Sequence, residues 1–267
     1  MLRKPLSLCF FLAILFSLPA MLEATALATQ LNAELKPRIW ELRWTRQLIV
    51  VTSDDWNAVT ARLQRFERSN DASGWRALGP AIDVVVGRGG MGWGIGLHGT
   101  HSVHGPVKRE GDGRAPAGVF FLNTIFGYAK ASEAGIATFP YREVTPSTQA
   151  IEDEQSKYYN RLVDSARIDD RDWHGSEIML RPDNLYRWGV VVEHNWKAFR
   201  GGGSCIFMHI WRGPQHGTAG CTAMPPDDME DIVRWLDWQK HPLLVQLPAQ
   251  TYDMMKDRWG LPDPDED

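Results

Sequence analysis

Three cysteines are all that 267 residues contain, and the first, Cys9, lies inside an apolar run near the start. A chain this poor in cysteine can form one disulfide at most once that run is removed, so its stability must come from a packed core. Positive charge is not in surplus either: the formal charge is −4, which argues against nucleic acid as the main partner. No internal repeat is visible, which argues against a solenoid.

What is present begins with MLRKPLSLCFFLAILFSLPAMLEATALA. Arg3 and Lys4 precede an apolar run from Leu6 to Leu22, and small residues follow at Ala24, Ala26 and Ala28. This pattern predicts a signal peptide over 1–28, cleaved after Ala26 or Ala28. The segment Leu6–Ala20 is short for the roughly 20 residues of a spanning helix. The expectation is an exported protein of the periplasm or cell wall, with no stable membrane span after cleavage. About 240 residues remain, enough for one sizeable domain. The hydrophobic fraction of 43% suffices for a globular core.

The pattern along the chain is strand-rich. Residues 47–52 (QLIVVT), 81–86 (AIDVVV), 188–193 and 205–211 read as strands, and 110–122 (EGDGRAPAGVFFL) as a turn feeding another. Ser53 is placed to cap a helix carrying Trp56, Val59, Leu63 and Phe66 on one face. A second helix is expected from Pro225, with Met229, Ile232, Val233 and Leu236 on one face, before a last strand at 243–247. Residues 129–185 lack clear periodicity and read as an insertion with little regular structure. Residues 260–267 read as a disordered acidic tail. The fold class is mainly β with a few helices. Gly87, Gly89 and Gly92 satisfy G-x-G-x-x-G, but further glycines at 94, 96 and 99 oppose the helix a dinucleotide site needs. The segment reads instead as a hairpin or loop.

Chemistry concentrates in HIWRGPQHGTAGCTAM, residues 209–224. A thiol of ordinary pKa, about 8.5, is mostly protonated at neutral pH, and a nearby imidazole activates it by taking the proton. His209 on an apolar strand and Cys221 on a Gly-Cys-Thr turn suit that pairing, with the amides of Gly220 and Cys221 as oxyanion donors. Rival readings exist. Cys205 and Cys221 invite a disulfide in an exported protein. With 205–211 as a strand, Cys205 and His209 stand about 13 Å apart, so Cys221 can hardly serve both. Cys205, His209, His216 and Cys221 match no common zinc spacing, and His98, His101 and His104 sit among glycines. His209 and Cys221 as plain core residues complete the alternatives, which the residues alone leave open.

T-A-G-C-T-A at 218–223, with the upstream FMHIW histidine, resembles the signature of L,D-transpeptidases of the YkuD type. VVVGRGG, WGIGLHG, GDGRAPAGVFFL, YNRLVD and the later RWL segment extend that resemblance across residues 47–248. Ala219, Thr222 and Ala223 depart from the family's pattern, and the loop from His209 to Cys221 is shorter. The resemblance implies a YkuD-like β-sandwich catalytic domain, with Cys221 as nucleophile and His209 as general base. It implies that Gly220 and Thr218 orient the turn and oxyanion, and that Tyr159 and Asn160 touch substrate. It further implies peptidoglycan stem peptides as partners, cross-linking through a Cys221 thioester, and no cofactor or metal. Water as acceptor would make a carboxypeptidase or amidase instead. A structural Cys221 would leave a non-catalytic wall-binding domain. Nothing in the sequence addresses the oligomeric state.

Overall fold

The computed structural model describes residues 39–99 and 103–264. The signal peptide expected at 1–28 and His101 lie outside the described residues. Among the described residues no helix is long and apolar enough to cross a membrane.

The described residues form thirteen strands: β1 (Gln47–Ser53), β2 (Thr60–Glu67), β3 (Arg76–Val85), β4 (Met91–Trp93), β5 (Ala115–Gly127), β6 (Tyr141–Glu143), β7 (Thr148–Ile151), β8 (Arg161–Asp164), β9 (Ser176–Ile178), β10 (Trp188–Val192), β11 (Phe207–Ile210), β12 (Thr222–Met224) and β13 (Leu243–Pro248). Among the described residues two α-helices, α1 (Pro226–Trp235) and α2 (Ala249–Trp259), accompany them. The main sheet runs β10-β11-β12-β3-β2-β1-β13-β5, and β10 pairs with β5 as well. That last pairing closes the eight strands into a ring, which removes the exposed edges an open sheet would carry. The chain is thus mainly β, as expected, with barrel and sandwich character.

β1 is apolar throughout its middle. Leu48, Ile49, Val50 and Val51 are all at most 1% exposed, so both faces of this strand are covered. It pairs in parallel with β13 and antiparallel with β2. α1 packs on β10 and β11, and α2 on β13 and β1. Met229, Ile232 and Val233 of α1, with Leu236 just past its end, form the buried stripe expected from their spacing, each contributing about 1.5–3 kcal/mol by leaving water.

Four expectations change. The helix after Ser53 is strand β2. Asp55 accepts the amides of Asn57 and Ala58, closing a tight turn that feeds the strand back along β1. The pairing of β2 with β3 shifts register between Leu63 and Arg65, so Leu63 and Phe66 are both buried while Thr60 and Arg62 are exposed, which imitates a three-residue helical spacing. Residues 129–185 are also more regular than expected. They hold β6 and a separate three-stranded sheet, β8-β7-β9, whose strands of three or four residues leave little hydrophobic period to detect. Cys205 stands outside β11 at φ 52°, so the straight-strand estimate of its distance to His209 does not apply. Residues 260–264 are not a disordered tail. Gly260 ends α2 in the left-handed region, the Tyr252 hydroxyl donates to the Pro262 carbonyl, and Lys256 pairs with Asp263. Residues 265–267 lie outside the described part.

One polar relay crosses the interior. The Thr222 hydroxyl donates to Gln246 Oε1 at 2.5 Å, and Gln246 Nε2 donates to the Pro116 carbonyl at 3.0 Å. It ties β12, β13 and β5, and Thr222 and Gln246 are no more than 2% exposed. Gln246→Leu leaves the Pro116 carbonyl and the Thr222 hydroxyl without partners, so it should lower stability by about 1–3 kcal/mol. A reduced urea midpoint at unchanged slope is the expected result.

Candidate active site

The site is built where β11 and β12 run parallel. Met208 pairs with Thr222, and His209 with Ala223. Side chains alternate along a strand, so Cys221, two residues before Ala223, projects to the same side as His209. Such diagonal neighbours stand about 7–8 Å apart at their backbones. Both residues line one cavity of about 540 Å3, together with Glu177, Arg181 and Tyr186 from the 129–185 region and its end. The expected insertion is therefore a wall of the cleft.

The loop carrying Cys221 is held from below. Gly87 bridges Thr218, the Arg88 amide donates to the Thr218 carbonyl, and the Thr218 amide to the Val86 carbonyl. A Cβ on Gly87 would come within 2.3 Å of the Gly113 carbonyl oxygen. The glycine-rich stretch is thus a backbone support for the cysteine loop, which is why its Rossmann-like spacing leads to no helix.

Thr218 organises the turn itself. Its hydroxyl donates to the Cys221 carbonyl at 2.6 Å and accepts the Gly220 amide at 3.0 Å. The Gly220 N–H is therefore spent on Thr218 rather than free for an oxyanion, and that expectation is corrected. A Cβ at Gly220 would press to 3.0 Å from the Arg114 carbonyl, so the turn also needs glycine for space.

Cys221 is 8% exposed. Its sulfur accepts the Phe207 amide at 3.3 Å and lies 3.9 Å from the Cys205 carbonyl oxygen. Both Cys205 and Cys221 are free thiols. No hydrogen bond joins Cys221 to His209 among the described residues. Instead, His209 Nδ1 lies 2.7 Å from the Ile210 carbonyl. A carbonyl only accepts, so Nδ1 carries the proton and Nε2 is left as the base. Tyr186 packs edge-on against His209 at 5.1 Å, and its hydroxyl donates to Glu177 at 2.8 Å. Sequence reasoning missed Tyr186, because a tyrosine beside a Pro-Asp turn carries no catalytic signature.

Burial dominates the electrostatics. It pushes the Cys221 thiol up to about 12, with Glu177 and Glu152 adding to the rise while the Phe207 amide and Lys108 oppose it. It pushes His209 down to about 4, partly offset by the Ile210 bond. The resting pair is thus a neutral thiol beside a neutral imidazole. Cys205 is buried as well, and its thiol is also pushed up.

Tyr159 and Asn160 do not line the cleft. Tyr159 is 2% exposed and its hydroxyl bonds Glu110. Asn160 spends its side chain on backbone groups of the neighbouring loop. His216 lines the cleft, and His98 accepts the Val119 amide. Among the described residues no group of three or more His, Cys, Asp or Glu is placed to hold a metal ion.

The L,D-transpeptidase catalytic domain family of the YkuD type matches residues 56–246, which spans the cleft and every strand from β2 to the middle of β13. The chain belongs to that family. Searches among curated proteins and among solved structures return no match.

The shifted groups set the stability profile. The ordinary histidine value is 6.5, and His209 and His194 are both lowered to about 4 by burial. As pH falls below 6.5 the unfolded chain takes these protons first, so stability is complete above that value and declines toward pH 4. The Cys221 value, raised from 9.0 to about 12, works in the opposite sense and costs stability above about pH 9. Chemical unfolding against pH should show a plateau between these limits. His209→Gln should reduce the acid-side slope by about 1.4 kcal/mol per pH unit. An unchanged slope would mean that His209 is not buried neutral.

Proposed function

We propose that the protein is an exported, cell-wall-acting cysteine acyltransferase that cross-links peptidoglycan stem peptides. The observation that carries this reading is that His209 on β11 and Cys221, immediately before its parallel neighbour β12, line one cleft in a chain of the L,D-transpeptidase family.

The donor is a stem tetrapeptide whose third-residue carbonyl carbon meets the Cys221 sulfur. A sulfur–carbon bond forms as His209 Nε2 takes the thiol proton. With a resting thiol near 12 and imidazole near 4, a standing thiolate–imidazolium pair is disfavoured, so proton transfer and attack proceed together. The Cys221 amide supports the oxygen on which negative charge develops, since the Gly220 amide is occupied. The carbon–nitrogen bond to the terminal D-alanine then breaks, and its nitrogen leaves with the proton from His209. The acyl group stays on Cys221 as a thioester. An acceptor amine attacks that carbonyl, gives its proton to His209, and the sulfur departs to recover it. Atoms and charge balance without a cofactor.

The test is intact-protein mass after exposure to a carbapenem, whose strained lactam acylates an active thiol. The mature chain should gain one adduct. Cys221→Ala should abolish it, and His209→Ala should slow it by about 10²–10⁴-fold. An adduct surviving in Cys221→Ala would overturn the assignment. So would an unreactive protein in which Cys205 and Cys221 are disulfide-linked.

A further inference from the structure

Asn160, immediately before β8, has a backbone φ of 59°, and its carboxamide joins three backbone groups. Its Oδ1 accepts the Cys205 amide at 2.8 Å, while Nδ2 donates to the carbonyls of His194 and Asn195 at 2.9 and 2.8 Å. The loop it grips contains Gly201, Gly202 and Gly203, which lend it little stiffness of their own. It ends at Cys205, held at φ 52°, a conformation that residues other than glycine seldom adopt. Held there, Cys205 turns its own thiol to the Ile151 carbonyl at 3.4 Å and brings its carbonyl oxygen 3.9 Å from the Cys221 sulfur. The Phe207 amide approaches that sulfur as well. The charged groups acting on it are Glu177 of β9, Glu152 after β7 and Lys108 before β5.

We propose that Asn160 is a positioning residue for the nucleophile: by pinning the Cys205 peptide, it holds the carbonyl that takes the Cys221 S–H and so sets where the sulfur points at rest. This rests on Cys221 being the nucleophile, and it differs from a role in substrate contact. Asn160 is absent from the cleft wall, and all its effect passes through Cys205. Substrate entry then exchanges one partner of the thiol for another, from the Cys205 carbonyl to His209.

The experiment compares Asn160→Ala with Asn160→Asp in the mature chain. It follows the alkylation of Cys221 by iodoacetamide at pH 9, with peptide mass mapping to separate it from Cys205. Asn160→Ala removes the acceptor for the Cys205 amide. Cys221 loses a carbonyl that favours its protonated form, and alkylation should accelerate by about tenfold, the equivalent of one pKa unit. Asn160→Asp keeps an oxygen for the Cys205 amide, replaces the donors to His194 and Asn195 by a second oxygen that their carbonyls repel, and adds a negative charge. Its Cys221 rate should stay at or below that of wild type, because the added charge disfavours the thiolate, even where its melting temperature falls as far as that of the alanine variant. A simple structural role predicts that the rate follows stability in both variants. An unchanged rate in Asn160→Ala, or equal acceleration in the two, overturns the proposal. Alkylation requires no substrate, so a protein that alkylates as expected but takes no acyl group counts against the nucleophile reading alone.

Discussion

The parallel pairing of β11 with β12 is the constraint on which the rest depends. Parallel neighbours cannot be joined by a tight hairpin, so the chain must leave the sheet between Ile210 and Thr222 and return. The return stroke carries Thr218, Gly220 and Cys221, and the register delivers Cys221 to the side that His209 already faces. The surroundings make that return reproducible: Gly87 bridges Thr218 beneath the loop, Thr218 ties the turn on itself, and α1 packs behind β10 and β11. Closure of the barrel through β10 and β5 then denies the site a free edge at which to relax.

A buried thiol has a chemical consequence. Burial holds the thiol protonated and the imidazole neutral, whereas many reactive cysteines sit in electropositive, partly exposed surroundings. The sulfur instead rests between a backbone amide and a backbone carbonyl. In the proposed mechanism this keeps the thiol quiet until a carbonyl enters the cleft, and it places the work of activation on His209 Nε2 during attack. The 129–185 region supplies Glu177 and Arg181 to the wall facing these groups, so the small sheet shapes the field in which the thiol must ionise.

Much of this was legible in the residues. Continuous apolar runs such as 47–52 and 243–247 became the central strands, and the stripe of α1 matched its spacing. In the sequence, His209 and Cys221 stood out together because a histidine on an apolar strand and a cysteine on a glycine turn are unusual neighbours, and both line one cleft. What failed did so for physical reasons. β2 shifts register against β3 between Leu63 and Arg65, so Leu63 and Phe66 lost the alternation that marks a strand. Asp55 closed a turn with a side chain that equally suits a helix start. Cys205 left its strand because Asn160, far away in sequence, holds its amide. Gly220 lost its expected role to a hydroxyl two residues away. Tertiary partners decided each of these, and no local pattern announces them.

The central claim is that acyl transfer passes through the Cys221 sulfur. The most direct measurement is to mix the mature chain with a stem tetrapeptide, quench in acid within seconds, and map the mass of the peptide containing Cys221. The account predicts a tripeptidyl thioester on Cys221, with free D-alanine released in equal amount before any acceptor amine is added. Release of D-alanine with Cys221 unmodified, continuing undiminished in Cys221→Ser, would contradict it.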